Sequence, residues 1–259
     1  MKKGKEILIL VTNDDGISAK GLKSLVKVAM QFGEVVIVAP NEGQSGMAHA
    51  ITVKTPIRVH KTTDFDHLTT YKCTGTPVDC VKMAINQLLQ RKPDLILAGI
   101  NHGGNASSSV MYSGTMGAVI EGCLNGIPSI GLSLLDFDKD ADFSVVQFYA
   151  KKIINETLKN GLPKGVCLNV NVPSIKLKKI KGIKICRQNH GVWREEFDHR
   201  TDPNGYDYYW LTGTFENLEP HAEDTDEWAL RNNYVSLVPV QFDQTAYKFM
   251  KKLEGWDLK

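Results

Sequence analysis

The chain has 259 residues, 42% hydrophobic and 23% charged, and its 31 Lys+Arg against 29 Asp+Glu leave a formal charge of only +2. This balance describes an ordinary soluble globular protein and disfavours a dedicated polyanion binder, so no nucleic-acid partner is expected. The length is enough to bury a large α/β core without disulfides or a structural metal.

Taken in chain order, residues 7–11 and 35–39 are short apolar, β-branched runs. Between them Leu22, Leu25, Val26 and Ala29 recur at helical spacing behind Ser18, a candidate cap. This is the pattern of a βαβ unit. The run at 7–11 is too short for a signal-peptide core or a membrane span, so no membrane partner is expected. A polar, hairpin-like stretch at 50–71 follows. Thr76 then caps a helix with Pro77 at its first position, Asp79 in the first turn, and Val78, Val81, Ile85, Leu88 and Leu89 along one face. Residues 95–98 form the next apolar strand, a Gly/Asn/Ser-rich loop follows, and residues 114–124 compose another helix before a strand at 129–134. A further helix carries Val146, Ala150, Ile153 and Ile154 on one side and precedes a strand at 166–170. Such alternation predicts a mostly parallel, doubly wound sheet.

Residues 189–233 break this rhythm. They hold eleven Asp/Glu against three Lys/Arg, so a segment near −8 is joined to a body near +10, and they carry eight of the 21 aromatics. Aromatics within polar sequence are typical of interfaces, so this reads as a surface excursion, an interface or a substrate-shaping element. Three segments are therefore expected: a catalytic core at 1–188, an acidic, aromatic arm at 189–233, and a strand and helix at 234–259 that return to the core.

The five cysteines, Cys73, Cys80, Cys123, Cys167 and Cys186, form no C-x-x-C pair, which points to reduced core thiols in the cytoplasm. Chemistry in a parallel sheet collects at the carboxyl ends of the strands. Three loops at those ends are rich in oxygen ligands: Thr12-Asn13-Asp14-Asp15-Gly16, Asn41 through Gly46, and Gly99 through Asn105. Adjacent carboxylates at the mouth of a buried strand repel each other unless a cation lies between them. Hard oxygens from Asp14, Asp15, Ser45 and Asn101 select Mg²⁺, Mn²⁺ or Ca²⁺; Asp-Asp-Gly alone also suits a turn and cap, a reading the other two loops weaken. Such a metal suits phosphoryl chemistry. Asn105, Ser107 to Ser109, and Ser113-Gly114-Thr115 opening a helix supply hydroxyls and N–H groups to an anion.

In this order, the motifs Val11 to Gly16, Gln44-Ser45-Gly46, Gly75 to Cys80, Gly99-Ile100-Asn101-x-Gly-x-Asn105 and Tyr112 to Thr115 resemble the SurE (stationary-phase survival protein) family of metal-dependent 5′-nucleotidases. The resemblance extends to Asp224-Thr225-Asp226 and Tyr234-Val235-Ser236. It implies a Rossmann-like three-layer α/β core with a carboxyl-terminal arm or hairpin. It also implies one divalent cation per subunit and hydrolysis of nucleoside 5′-monophosphates to nucleoside and phosphate by a metal-activated water. Homodimers or homotetramers with exchanged carboxyl-terminal arms are implied as well. By the same resemblance Asp14, Asp15, Ser45 and Asn101 are metal ligands, Asp14 and Asp15 are catalytic, and Asn105, Ser113, Gly114 and Thr115 hold phosphate. His102 reads by default as an outward-facing loop residue, with a general acid as the alternative. Three rivals are weaker. An aspartyl-phosphate phosphatase lacks its D-x-D after the first strand, a non-hydrolysing Mg²⁺-binding sensor would share the acidic pair, and no G-x-G-x-x-G marks a dinucleotide enzyme.

Overall fold

A computed structural model describes residues 6–258; residues 1–5 and 259, the outer ends of the first and last expected segments, lie outside the described residues. The chain opens with β1 (Leu8–Thr12), α1 (Lys20–Ala29) and β2 (Glu34–Pro40), the βαβ unit its periodicity predicts. The cap of α1 is Ala19, without a side-chain bond, and not Ser18. The Ala19 N–H donates to the Gly16 carbonyl at 3.1 Å, so the turn after β1 closes one residue later than the Ser18 reading requires.

The polar stretch at 50–71 yields β3 (Val59–Lys61), antiparallel to β4 (Thr69–Cys73), and β4 joins β2 in parallel. Helix α2 (Pro77–Met83) starts on a reciprocal capping box. The Asp79 N–H donates to Thr76 Oγ1 at 3.2 Å, and the Thr76 N–H donates to Asp79 Oδ2 at 2.9 Å. A π-helical turn, Ala84–Leu88, continues it. Next come β5 (Leu95–His102), a 3₁₀ turn (Ser107–Met111), α3 (Gly114–Leu124), β6 (Ser129–Leu135), α4 (Ser144–Asn160), β7 (Val166–Pro173) and β8 (Ile183–Ile185). The order ends with β9 (Gly191–Thr201), β10 (Asp207–Asn217), α5 (Asp226–Arg231), β11 (Val235–Gln241) and α6 (Tyr247–Leu253).

Nine strands form one sheet in the order β3-β4-β2-β1-β5-β6-β7-β11-β8, parallel from β4 through β7, with β3 and β11 running against their neighbours β4 and β7. Side chains alternate across it. Ile9 and Val11 face α1 and α4 in one core, while Leu8 and Leu10 face α2 and α3 in the other. Burial on both faces is why these strands read as unbroken apolar runs. Leu10 is wholly buried, and trimming such a residue to Ala costs about 2–5 kcal/mol.

β9 and β10 form a separate two-stranded sheet, paired from Gly191↔Asn217 to Thr201↔Asp207. Its tip is closed by Asp202 Oδ1, which accepts the N–H groups of Asn204 at 2.8 Å and Tyr206 at 3.0 Å. Among the described residues no helix is long and apolar enough to cross a membrane, and all five cysteines are free and buried.

The topology fixes where a crevice can open. From β1 the chain steps to β2 on one side and later returns to β5 on the other, so the connections diverge at the carboxyl ends of β1 and β5.

Candidate active site at the strand ends

A cavity of about 720 Å³ lies there, and Asp14, Asp15, Ser45, Asn101, Asn105 and Ser113 all line it. Residues distant in sequence thus share one space for concrete reasons. Asp14 and Asp15 leave the end of β1, and the Gln44 N–H donates to the Asp14 carbonyl at 2.7 Å, drawing the loop that bears Ser45 against them. Asn101 lies inside β5 and not in a loop beyond it, because the strand runs on to His102 past a register shift between Gly99 and Asn101. Its Nδ2 donates to the Gly103 carbonyl at 2.8 Å, which leaves Oδ1 as the uncommitted end of the amide.

Asp14 is buried, and the Thr115 hydroxyl donates to its Oδ1. Burial pushes the Asp14 carboxyl up to about 6; the Thr115 bond pulls the other way, and the charge on Asp15 adds to the rise. Burial raises Asp15 as well, against the hydrogen bond its Oδ2 accepts from the His102 N–H at 3.3 Å. Among the described residues no Lys or Arg pairs with either carboxylate. Two acids crowded without a counter-charge, beside a free amide oxygen and an exposed hydroxyl, make a hard-oxygen donor set that fits a divalent cation. Among the described residues no group of three or more His, Cys, Asp and Glu side chains offers a competing centre.

The expected phosphate residues divide. Asn105 and Ser113 face the cavity, and Ser113 caps α3 by accepting the Met116 N–H at 3.0 Å. Gly114 and Thr115 sit behind Asp14. The Thr115 hydroxyl points at the carboxylate, and a Cβ on Gly114 would lie 2.9 Å from Asp14 Cβ and 3.2 Å from the Gln44 carbonyl. Their contribution to an anion is thus the N-terminal end of α3, not their side chains.

Asn105 is held by residues that local patterns do not reveal. Its N–H donates to Asn171 Oδ1 at 2.6 Å and its Nδ2 to Ser133 Oγ at 2.9 Å, while Asn169 Nδ2 donates to its carbonyl at 2.8 Å. The available signal was the pair of asparagines two apart in the otherwise apolar β7. Asp226 on α5 is equally hidden. It accepts the N–H of Ser107 at 2.9 Å and that of Asn189 at 2.9 Å, clamping the 3₁₀ turn to the base of the hairpin. His102 departs from the outward-facing expectation. It is half-buried, its ring meets Phe143 edge-on at 5.1 Å, and its Nδ1 is buried without a partner. The remaining wall, Ser109, Tyr112, Phe137, Trp193 and residues 211–213, includes the hairpin.

Residues 9–195 match the family described as Survival protein SurE. The chain is 55% identical to the 5′-nucleotidase SurE of Flavobacterium johnsoniae, over 99% of each chain. It is 50% identical to the 5′-nucleotidase SurE of Phocaeicola vulgatus, over 100% of each. The crystal structure of the SurE protein from Aquifex aeolicus is 37% identical and matches it with a TM-score of 0.81, covering 95% of this chain and 98% of that one. Likeness of this extent, through core, strand-end loops and arm, makes the chain a member of the SurE family.

Proposed function

We propose that this chain is a metal-dependent 5′-nucleotidase that hydrolyses nucleoside 5′-monophosphates to nucleoside and phosphate. The observation that carries this reading is the unpaired Asp14–Asp15 couple sharing one cavity with Ser45, Asn101 and the start of α3, in a chain 55% identical to a curated 5′-nucleotidase.

Asp14, Asp15, Ser45 and Asn101 would hold the cation, which, when bound, supplies neutralisation of phosphate oxygens and acidification of water. Mg²⁺, Mn²⁺ and Ca²⁺ all suit these oxygens. Asn105 and Ser113 orient the phosphate by hydrogen bonds, and the N-terminal end of α3 behind Gly114 and Thr115 favours its negative charge. Each carboxylate has one oxygen already bonded, Asp14 Oδ1 by Thr115 and Asp15 Oδ2 by the His102 N–H; Asp14 is buried and Asp15 is the more accessible, so Asp15 takes the proton from the attacking water. The nucleoside oxygen departs on the opposite side in an in-line displacement and takes up a proton from solvent to leave as the free hydroxyl.

The same reading extends to assembly. Phe197, Tyr209 and Trp210 on the hairpin, and Tyr247, Trp256 and Leu258 at the carboxyl end, are exposed. Apolar surface of this kind supports association of copies through exchanged arms, as a dimer or tetramer. The separate β9–β10 sheet supports the division into a core to 188, an arm at 189–233 and a returning segment from 234. Five free thiols support a reducing, cytoplasmic setting. The test is phosphate release from nucleoside 5′-monophosphates: activity should vanish with EDTA and return with Mg²⁺ or Mn²⁺.

A further inference from the structure

The polar end of the cavity accounts for a phosphate and a cation, but not for the rest of its roughly 720 Å³. Cavities of about 300–1,000 Å³ hold whole drug-sized molecules. Among the described residues the remaining wall includes Ser109, Tyr112, Phe137, Trp193 and residues 211–213, so part of it comes from the hairpin.

Along an antiparallel pair, alternate residues share a face. Trp193 lies opposite Phe215, so Leu211, Gly213 and Phe215 on β10 share a face with Trp193 on β9. Phe215 meets the Trp193 ring in a T-shaped contact at 5.8 Å, and Trp193 Nε1 donates to Ser109 Oγ at 3.4 Å. The indole is thereby fixed at two points, yet it is still 43% exposed where it lines the cavity. Gly213, at φ +134°, interrupts the row between Leu211 and Phe215. Trp193, Leu211 and Gly213 all line the cavity.

We infer that the Trp193 indole, where the hairpin lines the cavity beside Leu211 and Gly213, seats the nucleobase of the substrate by stacking. The inference rests on the nucleotidase reading and assigns the arm a role in substrate selection. An indole face recognises a planar ring by its π-face, which every base presents, so purines and pyrimidines are both accepted. A phosphomonoester without a base gains nothing from it.

The experiment compares kcat/KM for adenosine 5′-monophosphate with that for ribose 5-phosphate in the wild type, Trp193→Ala, Trp193→Phe and Gly213→Val. The wild type should prefer the nucleotide. Trp193→Ala should lower that preference about tenfold, within the range measured for loss of one base–aromatic stack. Gly213→Val, which adds bulk to the cavity wall beside the indole, should lower it similarly. Trp193→Phe, which keeps a planar ring but not the bond to Ser109, should restore most of it. An unchanged preference in Trp193→Ala and Gly213→Val would overturn the inference, whether both substrates slow together or neither slows. So would a wild type without preference. Failure of the wild type to release phosphate from either compound would instead overturn the nucleotidase reading beneath it.

Discussion

The hydroxyl of Thr115 donates to Oδ1 of Asp14, joining the first turn of α3 to the end of β1 across 101 residues of sequence. This single bond settles which carboxylate oxygens remain for chemistry and keeps a buried acid in one orientation. Thr115→Val preserves shape and removes the donor. It should cost about 1–3 kcal/mol of stability, the usual penalty for a buried group left unsatisfied, and lower kcat/KM at least tenfold. Thr115→Ser should recover most of both. Thermal unfolding and phosphate-release kinetics check it.

Gly114 separates stability from activity. Alanine is the better helix former by about 0.8–1.0 kcal/mol within a helix, but here its Cβ would lie 2.9 Å from Asp14 Cβ and 3.1 Å from Oδ2. Gly114→Ala should therefore unfold within a few degrees of the wild type while losing at least tenfold in kcat/KM. Unchanged turnover would mean that Asp14 tolerates displacement.

Asp226 clamps the 3₁₀ turn to the arm through the N–H groups of Ser107 and Asn189. Burial raises its carboxyl, and the hydrogen bonds from Ser107, Asn189 and Glu227 pull it back. Asp226→Ala should cost about 1–3 kcal/mol for each buried donor orphaned. Hydrogen exchange should quicken at the Ser107 and Asn189 amides first, and KM should rise because the turn carries the cavity wall at Ser109.

At the base of the arm, both Glu219 oxygens accept from the Arg187 guanidinium at 2.9 Å, and Oε2 also accepts the His190 N–H at 2.7 Å. Arg187, then His190, holds the Glu219 carboxyl down to about 2 from its ordinary 4.5. The folded state thus binds this proton more weakly than the unfolded state. The stabilisation is full above pH 4.5 and is lost as the pH falls towards 2. Glu219→Gln should lower the unfolding midpoint at pH 6 by a small, salt-sensitive amount, since the pair is partly exposed. The difference from wild type should close between pH 4.5 and 2.

The strands and α3 were legible because their signals are local. Burial on both faces makes apolar runs such as Leu8–Thr12, and Ser113 before Gly114 marks a helix start. The oxygen ligands were legible because they directly follow those runs. The Gly/Asn-rich surroundings of Asn101 have the composition of a loop and conceal a strand with an irregular register. The supports of the site were not legible, since each is a long-range pairing: Asn169 and Asn171 reach Asn105 across 64 and 66 residues, and Asp226 reaches Ser107 across 119. In the arm, composition gave the aromatics but not the face they share. That required the pairing of Trp193 with Phe215 and the place of both Trp193 and Gly213 at the cavity.

The most direct test of the central claim is phosphate release from adenosine 5′-monophosphate by metal-stripped protein titrated with Mn²⁺, wild type beside Asp15→Asn. The account predicts a wild type silent without metal and restored by it, and a folded Asp15→Asn at least a hundredfold slower at saturating Mn²⁺. Full wild-type turnover in EDTA, or an Asp15→Asn variant as active as the wild type, would contradict it.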